Sequence, residues 1–406
     1  MFRVLLLSSV FIGSAAMASG LEKAIPWGGE TSGVAGIGNP YMQGSQALYF
    51  NPAGLVSDKA GAQDVTFNIS PTMPTFKAPV DAAGDTMNSK SETLYPMSLM
   101  YGMTVNDKIG FGVGYYVSGG SVADFQNITF SPSSIPLESE VSLLTTELSA
   151  GVGYKVMDNL KIGVAYRIVT VQAGLDVLFN NAQGGATQVA IQGAKDTEYT
   201  GYRIGAQYKV NENFNLGLTY RSEVIFKANG NMSTSSYGPT GLAQLQNTTA
   251  TVGSELPAAI NLGGDYKITE TWRVLAEYVW TQYSKVTNLA INPSGSAAIP
   301  LQLQFSDENQ IRVAGEYTGF GMPIRFGYIY TSSVTNSNYM LPGLTPPGAA
   351  NTVTLGTGYS FGSIRVDGGL EDTMMSGSSN NNSLYYRSGT YNLNLYALHL
   401  GATYAF

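Results

Sequence analysis

The chain has 406 residues, of which 44% are hydrophobic and only 12% charged, and its 28 acids and 21 bases leave a formal net charge of −7. This composition excludes nucleic acid as a partner, since that needs clustered bases, and it carries too few charges for an ordinary soluble surface. There are no cysteines, so no disulfide can hold the fold, and no metal-ligand cluster or cofactor motif stands out.

The N-terminus opens with Arg3, an apolar stretch from Val4 to Ile12 and the small-residue site Ala16-Met17-Ala18. These features predict a secretory signal peptide over residues 1–18, with the mature chain starting at Ser19. The apolar stretch is about half the length of a helical membrane span, and no later run approaches the roughly 18 apolar residues that a spanning helix needs. Any membrane crossing must therefore be made by strands. Residues 19–60 follow as a separate N-terminal segment, broken by Gly28, Gly29, Gly33, Gly36, Gly38 and Gly44. Composition leaves open whether this segment trails in the periplasm or folds back into a pore.

From residue 61 to 406 strand-like segments are joined by links that alternate between short and long. The short links are 106–108, 157–159, 211–213, 269–271, 319–321 and the neighbourhood of Gly362; the long polar ones are 71–90, 122–141, 178–196, 229–249, 292–301, 334–350 and 375–389. This alternation predicts an all-β transmembrane barrel of about 14 antiparallel strands, with short periplasmic turns, long extracellular loops and both ends of the barrel in the periplasm.

Each strand that heads for a short turn or the C-terminus carries a tyrosine of outward parity near its end: Tyr101, Tyr154, Tyr208, Tyr266, Tyr317, Tyr359 and Tyr404. A tyrosine buries its ring in hydrocarbon and keeps its hydroxyl wet, so these positions predict a periplasmic aromatic girdle. Arg167, Arg203, Arg221, Arg273, Arg312, Arg325 and Arg365 take the inward parity, together with Glu147, Glu277, Glu316, Asp367 and Glu371. A charge facing lipid at mid-bilayer costs roughly 2–4 kcal/mol, so their expected role is to fill the lumen as paired ladders. The last strand alternates Tyr396, Leu398, Leu400, Ala402, Tyr404 and Phe406 with His399, Gly401 and Thr403. Its terminal aromatic resembles the signal by which such chains are recognised by the outer-membrane assembly machinery, an expected partner alongside outer-membrane lipids.

The segment ahead of the barrel ends in Gly44-Ser45-Gln46-Ala47-Leu48-Tyr49-Phe50-Asn51-Pro52-Ala53-Gly54-Leu55. This stretch resembles the hatch motif of the FadL/TodX (OmpP1) family of outer-membrane transporters for long-chain fatty acids and other hydrophobic compounds. The stretch LLTTELSAGVGYKV from Leu143, followed by Asn159-Leu160, is similar to the family's fourth strand and turn. ELPAAI from Glu255, Thr271-Trp272 and the run Thr281-Gln282-Tyr283-Ser284 are similar to its eighth and ninth strands. The resemblance implies that residues 19–60 form a plug, or hatch, inside the lumen and that Asn51, Pro52 and Ala53 close it.

The resemblance also implies a route. A hydrophobic small molecule or fatty acid is captured in a groove between extracellular loops, passes to a pocket in the barrel and leaves sideways at an inward kink of the third strand. Here that strand is Ile109 to Val117, followed by Ser118, Gly119 and Gly120. A glycine pair weakens strand pairing and allows a bend, which places the expected lateral opening at these three residues; otherwise they simply begin a loop. Leu137, Val141, Leu143, Leu175, Val177, Leu178 and Phe179 are apolar residues in or beside the expected extracellular loops, and they are the candidates to line the ligand groove, loop-to-loop packing being the alternative. Fatty-acid members hold a carboxylate with basic groups, whereas the matching stretch here, Ser306-Asp307-Glu308, is acidic. That departure leaves room for uncharged hydrocarbons or aromatics.

Two rival readings frame these expectations. A general porin would also suit an inward ladder of charges, but an open pore has no use for a folded segment ahead of its first strand. An outer-membrane lipid-modifying enzyme would need His399, the one histidine, as a general base. Its inward position near mid-membrane makes it a lumen-packing residue instead, so the chain is expected to be no enzyme and to have no catalytic residue, metal or cofactor. It is also expected to act as a monomer.

Overall fold

A computed structural model describes residues 28–80, 86–129, 136–180, 185–238, 241–383 and 385–406. The predicted signal peptide, residues 1–18, lies outside the described residues, as does the beginning of the 19–60 segment. The chain is a closed barrel of 14 antiparallel strands. In chain order they are β1 (Gln63–Ile69 and Thr72–Pro79), β2 (Thr86–Asn88 and Met97–Thr104), β3 (Ile109–Ile128), β4 (Leu137–Met157), β5 (Leu160–Asn180), β6 (Ala186–Asn211) and β7 (Phe214–Arg221 and Val224–Gly238). The ring continues with β8 (Gly241–Leu256 and Ala259–Lys267), β9 (Trp272–Thr281 and Asn288–Pro293), β10 (Ile299–Gln302 and Glu308–Tyr317), β11 (Ile324–Thr331), β12 (Ala350–Phe361), β13 (Ile364–Ser379) and β14 (Gly389–Ala405). Pairing of β1 with β14, from Asp64↔Ala405 to Ile69↔Leu400, closes it.

The strands form because alternate side chains have two different solvents to satisfy. On β14 Leu393, Leu395, Ala397 and His399 are buried, while Tyr396, Leu398 and Leu400 are exposed. In water this would be an inverted pattern; in a bilayer the exposed apolar row is the lipid face. Of the seven predicted periplasmic tyrosines, Tyr154, Tyr208, Tyr266, Tyr359 and Tyr404 are exposed on the outer wall, and Tyr101 and Tyr317 are half-buried. Some strands break where the ladder loses a donor, as at Pro71 in β1 and Pro257 in β8, because proline has no N–H to give.

The long polar links differ from their sequence reading. Residues 178–196 and 229–249 are largely strand: Leu178 faces Gln188 across β5 and β6, and Asn229 faces Thr251 across β7 and β8. β6 alone runs 26 residues, whereas crossing a bilayer takes about 9–11. The hairpins therefore stand well above the membrane. Both faces of such an extension can meet water or other loops, so the polar residues that suggested loops are compatible with strand.

Inside the ring the N-terminal segment makes three short turns: α1 (Gly29–Ser32), α2 (Ala47–Phe50) and a 3₁₀ turn over Pro52–Leu55. Most of its side chains from residue 28 to 56 are buried.

Candidate functional site

Asn51 organises the inner segment. Its side-chain oxygen accepts from the Ala53 N–H at 3.1 Å, capping the turn that Pro52 begins. Its amide donates to Asn39 Oδ1 at 2.8 Å and to the Ala206 carbonyl of β6 at 2.9 Å. Asn39 in turn reaches the wall, donating to the carbonyls of Gly217 (2.9 Å) and Asn261 (3.1 Å). Wall side chains supply the reciprocal donors: Gln207 to the Met42 carbonyl at 3.0 Å, Arg203 to Leu48 at 3.1 Å and Arg312 to Gly36 at 3.1 Å. Backbone groups of a segment with little regular structure thus find partners in the wall, as a buried segment requires.

The wall also makes room for it. A β-carbon on Gly163 of β5 would overlap the Pro52 and Ala53 backbone, and one on Gly110 of β3 would overlap the Leu55 carbonyl. Backbone, unlike the tip of a long side chain, cannot swing aside. Gly163→Val is therefore expected to displace the Asn51–Ala53 turn at a cost of about 1–3 kcal/mol while leaving the strands paired. Single-channel recording should show larger or noisier current than the parent; an unchanged trace would mean that this contact does not hold the segment in place.

A layer of ion pairs surrounds the segment. Arg167 holds Glu147 with two bonds, Nη2–Oε1 at 2.6 Å and Nε–Oε2 at 2.9 Å, and Arg203 approaches the same carboxylate at 3.8 Å. Arg312 pairs with Glu277 at 2.8 Å, and Arg325 with Glu316 at 2.6 Å and Asp367 at 2.9 Å. Arg365 bridges Asp367 at 2.8 Å and Glu30 of the inner segment at 2.9 Å. The inward arginines are thus used as paired fillers. His399 is fully buried, with Nδ1 2.9 Å from Ser70 Oγ and Nε2 2.9 Å from Glu371 Oε2. Ser70 and Glu371 are buried with it, so the row packs the wall and offers no access to a substrate.

The third strand breaks its ladder where the glycine pair falls. β2 and β3 pair from Thr104↔Gly110 to Ser98↔Tyr116. Above that, among the described residues, the next backbone bond is Lys90 N–H to the Asp124 carbonyl at 2.7 Å. Residues 91–97 and 117–123 thus face one another without a ladder. On its other side β3 slips register against β4 between Val117 and Gly119, leaving Ser118 as a bulge, and Gly120 has φ of +151°. Ser118 to Ala123 are buried in unbroken succession, where a wall strand would alternate. This part of β3 keeps its ladder to β4, from Gly119↔Thr145 to Phe125↔Ser139, while its β2 side is covered by other contacts. It meets the loop between β11 and β12: Ser121 Oγ lies 3.4 Å from the Gly343 carbonyl, and Gly343 packs against Ala123.

The seven apolar candidates, expected in or beside extracellular loops, lie on β4 and β5. All seven are buried. Val141, Leu143, Leu175, Val177 and Phe179 join one apolar cluster, and Leu137 and Leu178 join a second beside Phe76 and Phe125. The first cluster fills the extracellular half of the lumen and extends well beyond the candidates, to Val169 and Val171 of β5, Val224 and Phe226 of β7, and Leu341 and Leu344 of the β11–β12 loop. Their only sequence signal is apolar residues at inward parity, the reverse of the rule that holds lower in the same strands. Arg387, between β13 and β14, is buried at the edge of this compartment and donates to the carbonyls of Ser383 at 3.2 Å and Tyr386 at 3.1 Å.

The site is thus a lumen with a polar, plugged periplasmic half, an extracellular half packed with apolar side chains and a wall ladder interrupted beside β3. Residues 12–406 match the family model for outer membrane protein transport proteins (OMPP1/FadL/TodX). Outer membrane protein P1 of Haemophilus influenzae is 21% identical over 293 residues, 65% of this chain and 62% of the relative. The long-chain fatty acid transport protein of Salmonella typhi is 23% identical over 279 residues, 63% of this chain and 62% of the relative. The chain therefore spans about three fifths of the length of both. Among solved structures, a FadL homologue of Pseudomonas aeruginosa superposes with a TM-score of 0.80 at 17% identity, covering 95% of this chain and 99% of the other. The toluene transporter TodX of Pseudomonas putida gives 0.77 at 18% identity, covering 93% and 98%. At these identities the likeness is one of fold.

Proposed function

This chain belongs to the OMPP1/FadL/TodX family of outer membrane transport proteins, and on that premise we propose that it carries apolar small molecules from the cell exterior into the plane of the outer membrane. The extracellular hairpins capture the solute and pass it to the apolar compartment of the upper lumen. Residues 19–60 act as the hatch that blocks the way below, held by the Asn51-Pro52-Ala53 turn. The solute leaves sideways past Ser118, Gly119 and Gly120. The carrying observation is that an apolar compartment, backed by a polar plug, adjoins a stretch of wall with no ladder. Each CH₂ kept out of water on this route avoids roughly 0.8 kcal/mol, so the lateral exit is cheaper than a drop into the periplasm.

The compartment favours an uncharged hydrocarbon or aromatic as cargo. A long-chain fatty acid is the second reading, favoured by the Arg387 guanidinium buried at the compartment's edge. Cells displaying the chain should take up tritiated hexadecane faster than cells with an empty vector, and failure to do so would refute the transport reading. Arg387→Met should leave hexadecane uptake unchanged. If fatty acids are cargo, it should lower oleate uptake by about tenfold, the loss of roughly one charge-assisted contact. Equal oleate uptake by both forms would remove Arg387 from any such role.

A further inference from the structure

Besides the break at β3 and those around residues 282–287 of β9, the wall ladder is interrupted between β6 and β7. Their ladder runs from Asn211↔Phe214 up to Arg203↔Arg221 and resumes at Lys195↔Asn229. Between these points residues 196–202 and 222–228 face each other with no ladder. The bonds across them lie at the two ends: Ser222 N–H to the Tyr202 carbonyl at 3.0 Å and Tyr202 N–H to Ser222 Oγ at 2.9 Å below, and Lys227 N–H to the Asp196 carboxylate at 2.6 Å above. The interruption beside β3 spans the same length of chain on each strand, and Tyr116 and Arg221 stand equally far beyond the start of their strands. The two breaks therefore lie at one height in the wall, and each is closed on its extracellular side by a lysine backbone N–H donating to an aspartate.

We propose that the β6–β7 seam is a second lateral portal, through which uncharged apolar molecules pass between the upper lumen and the outer leaflet; this rests on the transport reading above. Behind the seam lie Val169, Val171, Val224, Phe226 and Ala228, all buried within the apolar cluster of the compartment. In front of it Tyr199 and Ile225 are exposed on the outer wall at 61% and 55%. Apolar side chains thus line the seam on both faces, with Asp196 and Lys227 above Ile225 and the Glu223–Lys285 pair, 3.3 Å apart, below it. A barrel wall facing lipid ordinarily satisfies every backbone group by pairing, because hydrocarbon offers no substitute. Here side-chain packing alone holds the middle of the seam, so the strands can part without losing ladder bonds. β6 has slack for that movement, since its register against β5 slips between Arg167↔Gly201 and Val169↔Glu198.

The chain has no native cysteine, so the seam can be closed chemically. Tyr199→Cys with Ile225→Cys, bridged by dibromobimane, should slow uptake of tritiated hexadecane about threefold relative to the same variant left unreacted. The same bridge between Leu355→Cys and Leu370→Cys, paired positions of the intact β12–β13 ladder, should have no effect. Uptake at the unreacted rate with the seam bridged would overturn the proposal. A second measurement does not depend on transport. Purified barrel carrying p-benzoylphenylalanine in place of Phe226, irradiated in phosphatidylcholine vesicles, should form lipid adducts in clear excess over barrel carrying it in place of the buried Leu275. Equal adduct levels would overturn the portal. If the parent chain takes up no hexadecane, the transport reading falls and the adduct ratio alone decides whether the seam opens to lipid.

Discussion

Valine at both Gly119 and Gly120 is expected to lower uptake of an apolar solute at least ~10-fold while the barrel still folds. Gly120 sits at φ +151°, where a side chain costs about 1–3 kcal/mol. Valine is stiff at χ1 and favours regular strand. The double variant therefore drives β3 toward a straight course, along which it would pair with residues 91–97 of β2 and remove the interruption. The buried run from Ser118 to Ala123 would gain a second strand partner and lose its contact with Gly343. Hexadecane uptake measured beside surface display and circular dichroism separates loss of transport from loss of protein. Folded double variants that transport at the parental rate would remove the β3 kink from the route.

Glu147→Ala should produce the largest loss of stability, about 3–5 kcal/mol, read as a lower urea midpoint for unfolding from lipid vesicles. Glu147 and Arg167 are almost wholly buried, and Arg203 nearly so. Removing the carboxylate leaves two guanidinium groups in a dry site with their shared partner gone. Tyr116 would also lose the acceptor of its 2.8 Å hydroxyl bond. The damage should spread to the hatch, because Arg203 donates to Leu48 and lies 5.0 Å from the centre of the Tyr49 ring, which itself packs edge-on against Tyr116 at 5.1 Å. Glu147→Gln keeps the shape and part of the hydrogen bonding, so it should cost less. An equal loss from both variants would mean that charge is not what stabilises the cluster.

The strand count, the periplasmic tyrosines and the inward arginines could be read from the sequence because each depends on short-range spacing. Period-two alternation and two- or three-residue turns are local, and a charge in lipid is costly wherever it stands. The extracellular half was harder to read. Residues 178–196 and 229–249 looked like loops because neither face is consistently apolar, yet above the bilayer a strand has no need of a lipid face. Val169, Val171, Val224 and Phe226 were missed for a related reason: apolar residues at inward parity contradict the rule that serves the lower wall, and nothing local marks where that rule stops. Gly119 and Gly120 announce an interruption in β3. Glu223 to Ala228 read as plain strand, and the missing ladder beside them is a property of two chain segments together. Gly343 meeting Ala123 is likewise a contact that spacing along the chain cannot reveal.

The Asn68 side chain sits where three parts of the molecule meet. It accepts from the Gly29 N–H at 3.3 Å and donates to Ser98 of β2 at 2.9 Å, and its own residue pairs with Gly401 of β14. Gly29 is seated so closely that a β-carbon on it would overlap the Asp367 carbonyl of β13. The first turn of the hatch is therefore anchored to the junction between the first and last strands. That junction exists only where β14 pairs with β1. Seating of the first inner turn and closure of the ring therefore support one another, because both draw on Asn68.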